Sequence, residues 1–346
     1  MVTGLSTDVS KTSNNVTLLR HFAAIFVLIS HSFDLLNRSA AEPLSLLSGG
    51  ATSLSRIGLI FFFFISGLLI TQSLYNSAGI THFLWKRVLR IYPALIVLIF
   101  LTVFILGPVF TAMPIGAYFK NGQTWEYFFG GISLIRLRFF LPGVFDEHGV
   151  NGSLWSLPVE FRFYILLAVF FITGVLKKIK LYILFPGLFL FIYLASPYFS
   201  INPIWIYLAP YISWAGFFFL GSFVFFVRDK IKMNLAILLA VLVLWYFTRH
   251  IIIINKLTEL IAFSYLTLFL SFSTPVLGKN FFSKNDFSYS TYIYAFPVQQ
   301  ILLHTGSDKV APLELMILTL LVLIPFCWFS WHCIEKPALK LKNIMQ

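Results

Sequence analysis

Apolar residues fall into ten runs separated by short polar or basic breaks, at about residues 18–37, 55–75, 91–113, 155–176, 181–196, 204–227, 233–249, 257–274, 287–304 and 313–334. Most reach the ~20 residues that an α-helix needs to cross a hydrocarbon core of ~30 Å. The pattern therefore predicts an all-α polytopic membrane protein with about ten transmembrane helices, the 181–196 run being short for a span. Basic residues mark the breaks unevenly. Lys11 and Arg20, Lys86, Arg87 and Arg90, Lys177, Lys178 and Lys180, Arg228, Lys230 and Lys232, Lys279 and Lys284, and Lys336, Lys340 and Lys342 put 16 of the 25 Lys and Arg on one side. The other side keeps nine, among them Lys120, Arg136, Arg138 and Arg162. The positive-inside rule then predicts that both termini are cytoplasmic, which fits an even number of spans.

The longest connection, residues 114–153, is expected outside the cytoplasm. Its stretch TWEYFFGGISLIRLRFFLPG interleaves aromatic and apolar residues with two arginines, and reads as an interfacial or re-entrant segment instead of an eleventh span. No internal repeat is visible, and the whole of 1–346 is expected to form a single transmembrane domain.

Composition agrees with the pattern: 59% hydrophobic, 18% aromatic and 11% charged residues exclude a soluble domain of this size. The net charge of +12 does not point to nucleic acid, because the cations sit in short clusters and form no single patch. Anionic lipid headgroups and an anionic cytoplasmic ligand suit them. A polar stretch up to Asn15 and a charged loop after the first apolar run give no sign of a cleaved signal peptide. Cys327 and Cys333, six residues apart on one helix, point ~240° away from each other and read as packing residues.

The first run, LLRHFAAIFVLISHSFDLL, carries the most informative polar residues. Arg20 and His31 are eleven residues apart, so on a helix they share a face to within about 20° and differ in depth by ~16.5 Å. Ionisable groups within a span are costly and mark sites with a partner. The alternative is a snorkelling Arg20 and a His31 satisfied in a helix contact. Asp34 lies one turn beyond His31. In the second run, Ser66 and Gly67 form a small-residue notch among phenylalanines, which serves helix packing or lines a ligand channel. In WKRVLRIYP, Arg87 and Arg90 share one helix face, where two guanidinium forks suit a phosphate or anchor the span. Tyr92 and Pro93 then start or distort the helix that follows.

The segment NGSLWSLPVEFRFYILL puts Glu160 ~7.5 Å in from Trp155, with Arg162 and Tyr164 beside it. His31 lies ~9 Å from the same outer end of its own helix. A carboxylate bonded to an imidazole fixes its tautomer and makes it a better base, although Glu160 is equally explained by a bond to Arg162 or to a helix end. In DFSYSTYIYAFPVQQILLH, Tyr289, Tyr292, Tyr294, Gln299 and Gln300 supply a polar face, either for hydroxyl-rich ligands or as polar glue between helices.

Taken together, these segments resemble the acyltransferase family 3 proteins, membrane O-acyltransferases of surface polysaccharides, nodulation factors and related acceptors. The likeness rests on Arg20 and His31, the FFFFISG run, RVLRIYP, GSLWSLPVEFRFY, and the closing SYSTYIYAFPV and EKPALKL blocks, in family order. It implies acetyl-CoA as the donor, reached from the cytoplasm, and a carbohydrate hydroxyl as the acceptor, with the protein in the inner membrane and no metal. It also implies that His31 and Arg20 are the central pair, with Glu160 as the matching glutamate. Arg87 and Arg90, with Tyr92 and Ser66, belong to the donor region, and Trp155, Tyr164 and Tyr292 to the acceptor. Many relatives carry a His where this chain has Ala295, and the hydrolase-like domain fused to some relatives is not expected. Chemically, His31 is the expected base or acyl relay, oriented by Glu160 or Asp34. The rival from another class is a transporter or flippase for a lipid-linked sugar, which the absence of two related halves disfavours.

Overall fold

The computed structural model describes residues 3–4, 14–145, 149–178, 182, 187–188, 191–192, 194, 203–306 and 310–344. The predicted run at 181–196 lies for the most part outside the described residues. Among the described residues the longer helices are α1 (Val16–Asp34), α2 (Leu54–Tyr75), α3 (Ile80–Leu101), α4 (Gly122–Ser133), α5 (Ser156–Ile172), α6 (Pro203–Val227), α7 (Leu235–Thr248), α8 (Ile252–Phe272), α9 (Ser288–Thr305) and α10 (Pro312–Phe329). Among the described residues, seven helical stretches are long and apolar enough to cross a membrane: Val16–Asp34, Leu54–Tyr75, Ile80–Phe110, Gly152–Ile172, Tyr211–Lys230, Ile252–Phe272 and Pro312–Asn343. α7, with 14 residues, covers only ~21 Å, and α9 is diluted by its tyrosines, serines and glutamines.

Two helices are extended by π-helical turns. α3 continues through Thr102–Leu106 to Phe110, and α10 through Ser330–Glu335 into Lys336–Lys340. α3 also begins eleven residues before its apolar run, so Lys86, Arg87 and Arg90 stand on its early turns and Pro93 lies inside the helix. Pro93 thus lies well inside this helix and does not start it. α4, at 12 residues, is too short to span and buries Thr124, Tyr127, Gly130 and Gly131 while leaving Phe129 exposed.

The described residues form two compact units. The first comprises Met1–Val27, Ala40–Ser77 and Phe163–Asp286. At its centre α2 crosses α6 at two glycines: a methyl on Gly67 would lie 1.8 Å from Phe218 O, and one on Gly221 2.1 Å from Phe64 O. The Ser66–Gly67 notch therefore lets two backbones meet. Glu42 caps two helix starts at once, accepting from the N–H of Ser45 at 2.6 Å and of Leu54 at 2.9 Å. Arg56 and Glu259 form a two-pronged ion pair, Nε to Oε1 at 2.5 Å and a terminal nitrogen to Oε2 at 2.6 Å. Asn15, just before α1, donates to Thr274 Oγ1 at 2.8 Å and to Pro275 O at 2.9 Å, tying α1 to the chain after α8.

The second unit comprises Leu28–Ser39, Ala78–Arg162 and Phe287–Gln346. Here α9 packs on α10, on the turn Gly152–Trp155 and on α3, and the end of the chain packs on α3. Fully buried Gln299 donates from Nε2 to Leu28 O at 3.0 Å and to Ser32 Oγ at 2.8 Å, clipping α9 to the last turns of α1.

Candidate active site

In the second unit, α1 ends in His31-Ser32-Phe33-Asp34, and one helical turn brings the first and last of these together. His31 Nδ1 lies 3.5 Å from Asp34 Oδ2, and Ser39 also hydrogen-bonds the Asp34 carboxylate. With Nδ1–H directed at Asp34, the imidazole keeps Nε2 as its basic nitrogen. Phe296 of α9 meets the His31 ring edge to face at 5.2 Å and also touches the Gly152 position, where an added methyl would be 3.1 Å from its ring. Buried Asn151 donates to Ile293 O at 2.9 Å, which sets the Asn-Gly-Ser turn against α9. A glycine after Asn151 thus makes room for the aromatic ring that braces His31.

Asp34, one of the two carboxylates expected beside His31, is the one at ion-pair distance. Glu160 stands on the second turn of α5, within electrostatic reach of Tyr289 and Tyr292. The Tyr292 hydroxyl donates to Ser153 O at 2.8 Å and lies 2.7 Å from Ser156 Oγ, holding the start of α5 beside Trp155. One turn earlier on α9, Tyr289 donates to Ile91 O at 2.8 Å, next to Tyr92, whose ring meets Phe161 at 6.0 Å.

On α3, Arg90 pairs with buried Glu335 at 3.6 Å and lies 5.7 Å from the centre of the Tyr289 ring. Ser330 donates to the other oxygen of Glu335 at 3.0 Å. Arg87 lies over the Phe83 ring at 5.9 Å. The two arginines expected to act together are thus braced differently, Arg90 by a buried carboxylate and Arg87 by an aromatic face.

The remaining expected residues belong to the first unit. Arg20 pairs with buried Asp286 at 3.2 Å. Since α1 is unbroken from Val16 to Asp34, eleven residues of helix keep Arg20 ~16.5 Å from His31 along the axis. Tyr164 is buried with its ring 6.2 Å from that of Phe218, and Ser66 sits beside the α2–α6 crossing. Asp286 and Glu335, as partners for Arg20 and Arg90, were not anticipated from the sequence. Their signal was that each is an acidic residue in a mostly basic connection, buried here at 4% and 2% exposure. No group of three or more His, Cys, Asp or Glu able to hold a metal occurs among the described residues.

The family model of the acyltransferase domain matches residues 13–335. The chain belongs to acyltransferase family 3. An O-acetyl transferase of Shigella phage Sf6 is 31% identical over 348 aligned positions, 94% of this chain and 95% of that protein. Nodulation protein 10 of Rhizobium leguminosarum bv. viciae is 26% identical over 95% of this chain and 94% of its own length. Acyltransferase MdmB of Streptomyces mycarofaciens is 26% identical over 44% of this chain. No solved structure matches it. The protein is a multi-pass membrane acyltransferase, and the matched domain contains every residue of the site described above.

Proposed function

We propose that this acyltransferase moves an acetyl group from acetyl-CoA to a hydroxyl of a carbohydrate acceptor at the inner membrane, with both termini cytoplasmic and about ten spans. The observation that carries the reading is the His31–Asp34 pair in a chain of this family, 3.5 Å between Nδ1 and Oδ2. The name of the phage relative supports acetyl as the group moved.

The reaction needs a base for the acceptor proton, and neutral imidazole supplies one at Nε2. The acceptor oxygen forms its bond to the thioester carbonyl carbon as Nε2 takes the hydroxyl proton. Asp34 stabilises the imidazolium that results. The tetrahedral species then expels the sulfur, which leaves as the free thiol after receiving the same proton from His31. Arg87 and Arg90 hold the donor's phosphates, and Arg20 acts at the other depth of α1, on the donor arm. Phe296, packed on the turn at Gly152, keeps water from competing with the acceptor. A variant in which His31 itself carries the acetyl group between donor and acceptor uses the same residues in two steps.

The test is thiol release from acetyl-CoA by the purified protein in nanodiscs, with and without offered glycans. Wild type is expected to release thiol and His31→Ala to lose that release while melting at an unchanged temperature. A His31→Ala variant that turns over at the wild-type rate would remove His31 from the chemistry. Acetyl-enzyme trapped without acceptor would select the two-step variant.

A further inference from the structure

In the second unit, α4 and the chain that follows it enclose a groove. Gly122, Trp125, Glu126, Phe129, Gly130 and Ser133 line it along one face of α4, recurring every three or four residues over ~16.5 Å of helix. Leu134, at φ 55°, then turns the chain back, and Ile135, Arg136 and Arg138 form the opposite wall. Gly130 permits the close return, since a methyl there would lie 2.1 Å from Arg136 O. Arg162 of α5 donates to Ile135 O at 3.4 Å and holds that wall. The groove has a volume of about 630 Å³, within the ~300–1,000 Å³ of pockets that take small ligands.

Its depth follows from what lies behind α4. A methyl on Gly131 would be 2.6 Å from Ile99 Cδ1, and the rings of Trp125 and Phe128 lie 6.2 and 5.5 Å from that of Phe104. Tyr118, just before α4, donates to Val103 O at 3.0 Å. Ile99, Val103 and Phe104 belong to the apolar stretch Ile80–Phe110, six to eleven residues from its end. α4 therefore lies beside a section ~9–16 Å in from that end. Phe129 and Ile135, 63% and 70% exposed, present their apolar surface at the level of lipid chains.

The charges of the groove do not cancel. Glu126 pairs with Arg138 at 2.8 Å, and two arginines against one glutamate leave a net charge of +1, carried by exposed Arg136. One surplus cation beside an apolar cleft matches an amphiphile that bears a single negative charge. A soluble anion would use none of the apolar wall, and a diphosphate carries more charge than the groove balances. We propose that the groove binds one anionic glycerophospholipid, with an acyl chain along Trp125, Phe129 and Ile135 and the phosphodiester on Arg136.

The test is titration of the intact protein in detergent with phosphatidylglycerol and, separately, with phosphatidylcholine of the same chains, bound lipid being counted by native mass spectrometry. Wild type is expected to bind phosphatidylglycerol the more tightly. Arg136→Ala is expected to weaken phosphatidylglycerol about fivefold, the effect of one cation at a charged lipid surface, and to leave the melting temperature in place. Glu126→Gln removes the opposing charge and is expected to strengthen phosphatidylglycerol, a gain that loss of a merely structural ion pair would not produce. Phe129→Ala, at an exposed position, is expected to weaken both lipids alike. Equal affinity of wild type for the two lipids overturns the proposal, as does Arg136→Ala without effect or Glu126→Gln with weakened binding. Displacement of phosphatidylglycerol by inorganic phosphate would mark a plain anion site and overturn it. Tighter binding of an isoprenyl diphosphate would assign the groove to a diphosphate-linked lipid and overturn it as well.

Discussion

Replacing Asp34 with Asn keeps the size of the side chain and a hydrogen-bond acceptor for His31 while removing the charge. The loss can be worked from the geometry. At the 3.5 Å between Nδ1 and Oδ2, opposite unit charges attract by about 1.2 kcal/mol at the dielectric constant of water and by about 4.7 kcal/mol at an effective value of 20. The Asp34 side chain is 44% exposed and that of His31 21%, so solvent screening draws the figure toward the lower bound, to about 2 kcal/mol. That attraction exists only once His31 has taken the acceptor proton, so it belongs to the transition state. Its removal is expected to slow turnover about 30-fold. The assay is acetyl transfer followed as thiol release, with kcat and KM determined for donor and acceptor in turn. Asp34→Asn should lower kcat and kcat/KM together and leave both KM values in place. His31→Ala, which removes the base itself, should cost about 10²- to 10⁴-fold. Asp34→Asn within twofold of wild type would refute the pairing as a catalytic feature. A loss as deep as that of His31→Ala would show that the carboxylate does more than stabilise a charge.

The Arg56–Glu259 pair predicts an asymmetry in melting temperature: Arg56→Met strands a carboxylate that is 2% exposed and costs about 3 kcal/mol, part of the loss being offset by nearby Lys256. Glu259→Gln strands an arginine that is 31% exposed and costs less, the double change to Met and Leu recovers most of the loss, and the reverse order would contradict the burial argument. At the α2–α6 crossing, Gly67→Ala forces a methyl against Phe218 O and is expected to reduce folded yield sharply in size-exclusion profiles. Gly216→Ala, with nothing within 4 Å of the added atom, should leave the profile unchanged.

Local spacing made part of this site legible. His31 and Asp34 are three residues apart on a helix, and that spacing alone brings them together. Arg87 and Arg90 follow the same rule. What spacing could not supply is the identity of distant partners: Arg20 and Asp286 are 266 residues apart, and no periodicity connects them. Hydropathy located the apolar part of α3 and placed its beginning eleven residues late, because lysine and arginine form helices readily while lowering the hydropathy of any window that contains them. Tyr292 was visible as a polar residue in an apolar run, but its engagement with Ser153 and Ser156 depends on how the chain before α5 folds against α9. The notch at Gly67 left two readings open, and the backbone of Phe218 at that position decides for packing.

The π-helical turn at Ser330–Glu335 makes the end of the chain a matter of angular phase. A wider turn inserts an extra residue into the helical count, and every side chain after it is rotated by ~100° from where an unbroken α-helix would carry it. Glu335 meets Arg90 because of that offset, and the lysines that follow inherit it. Shortening this turn by one residue would preserve composition, hydropathy and helix content almost unchanged and yet aim a different set of side chains at α3. Chain length within six residues, which no measure of polarity registers, thus decides which charges meet there.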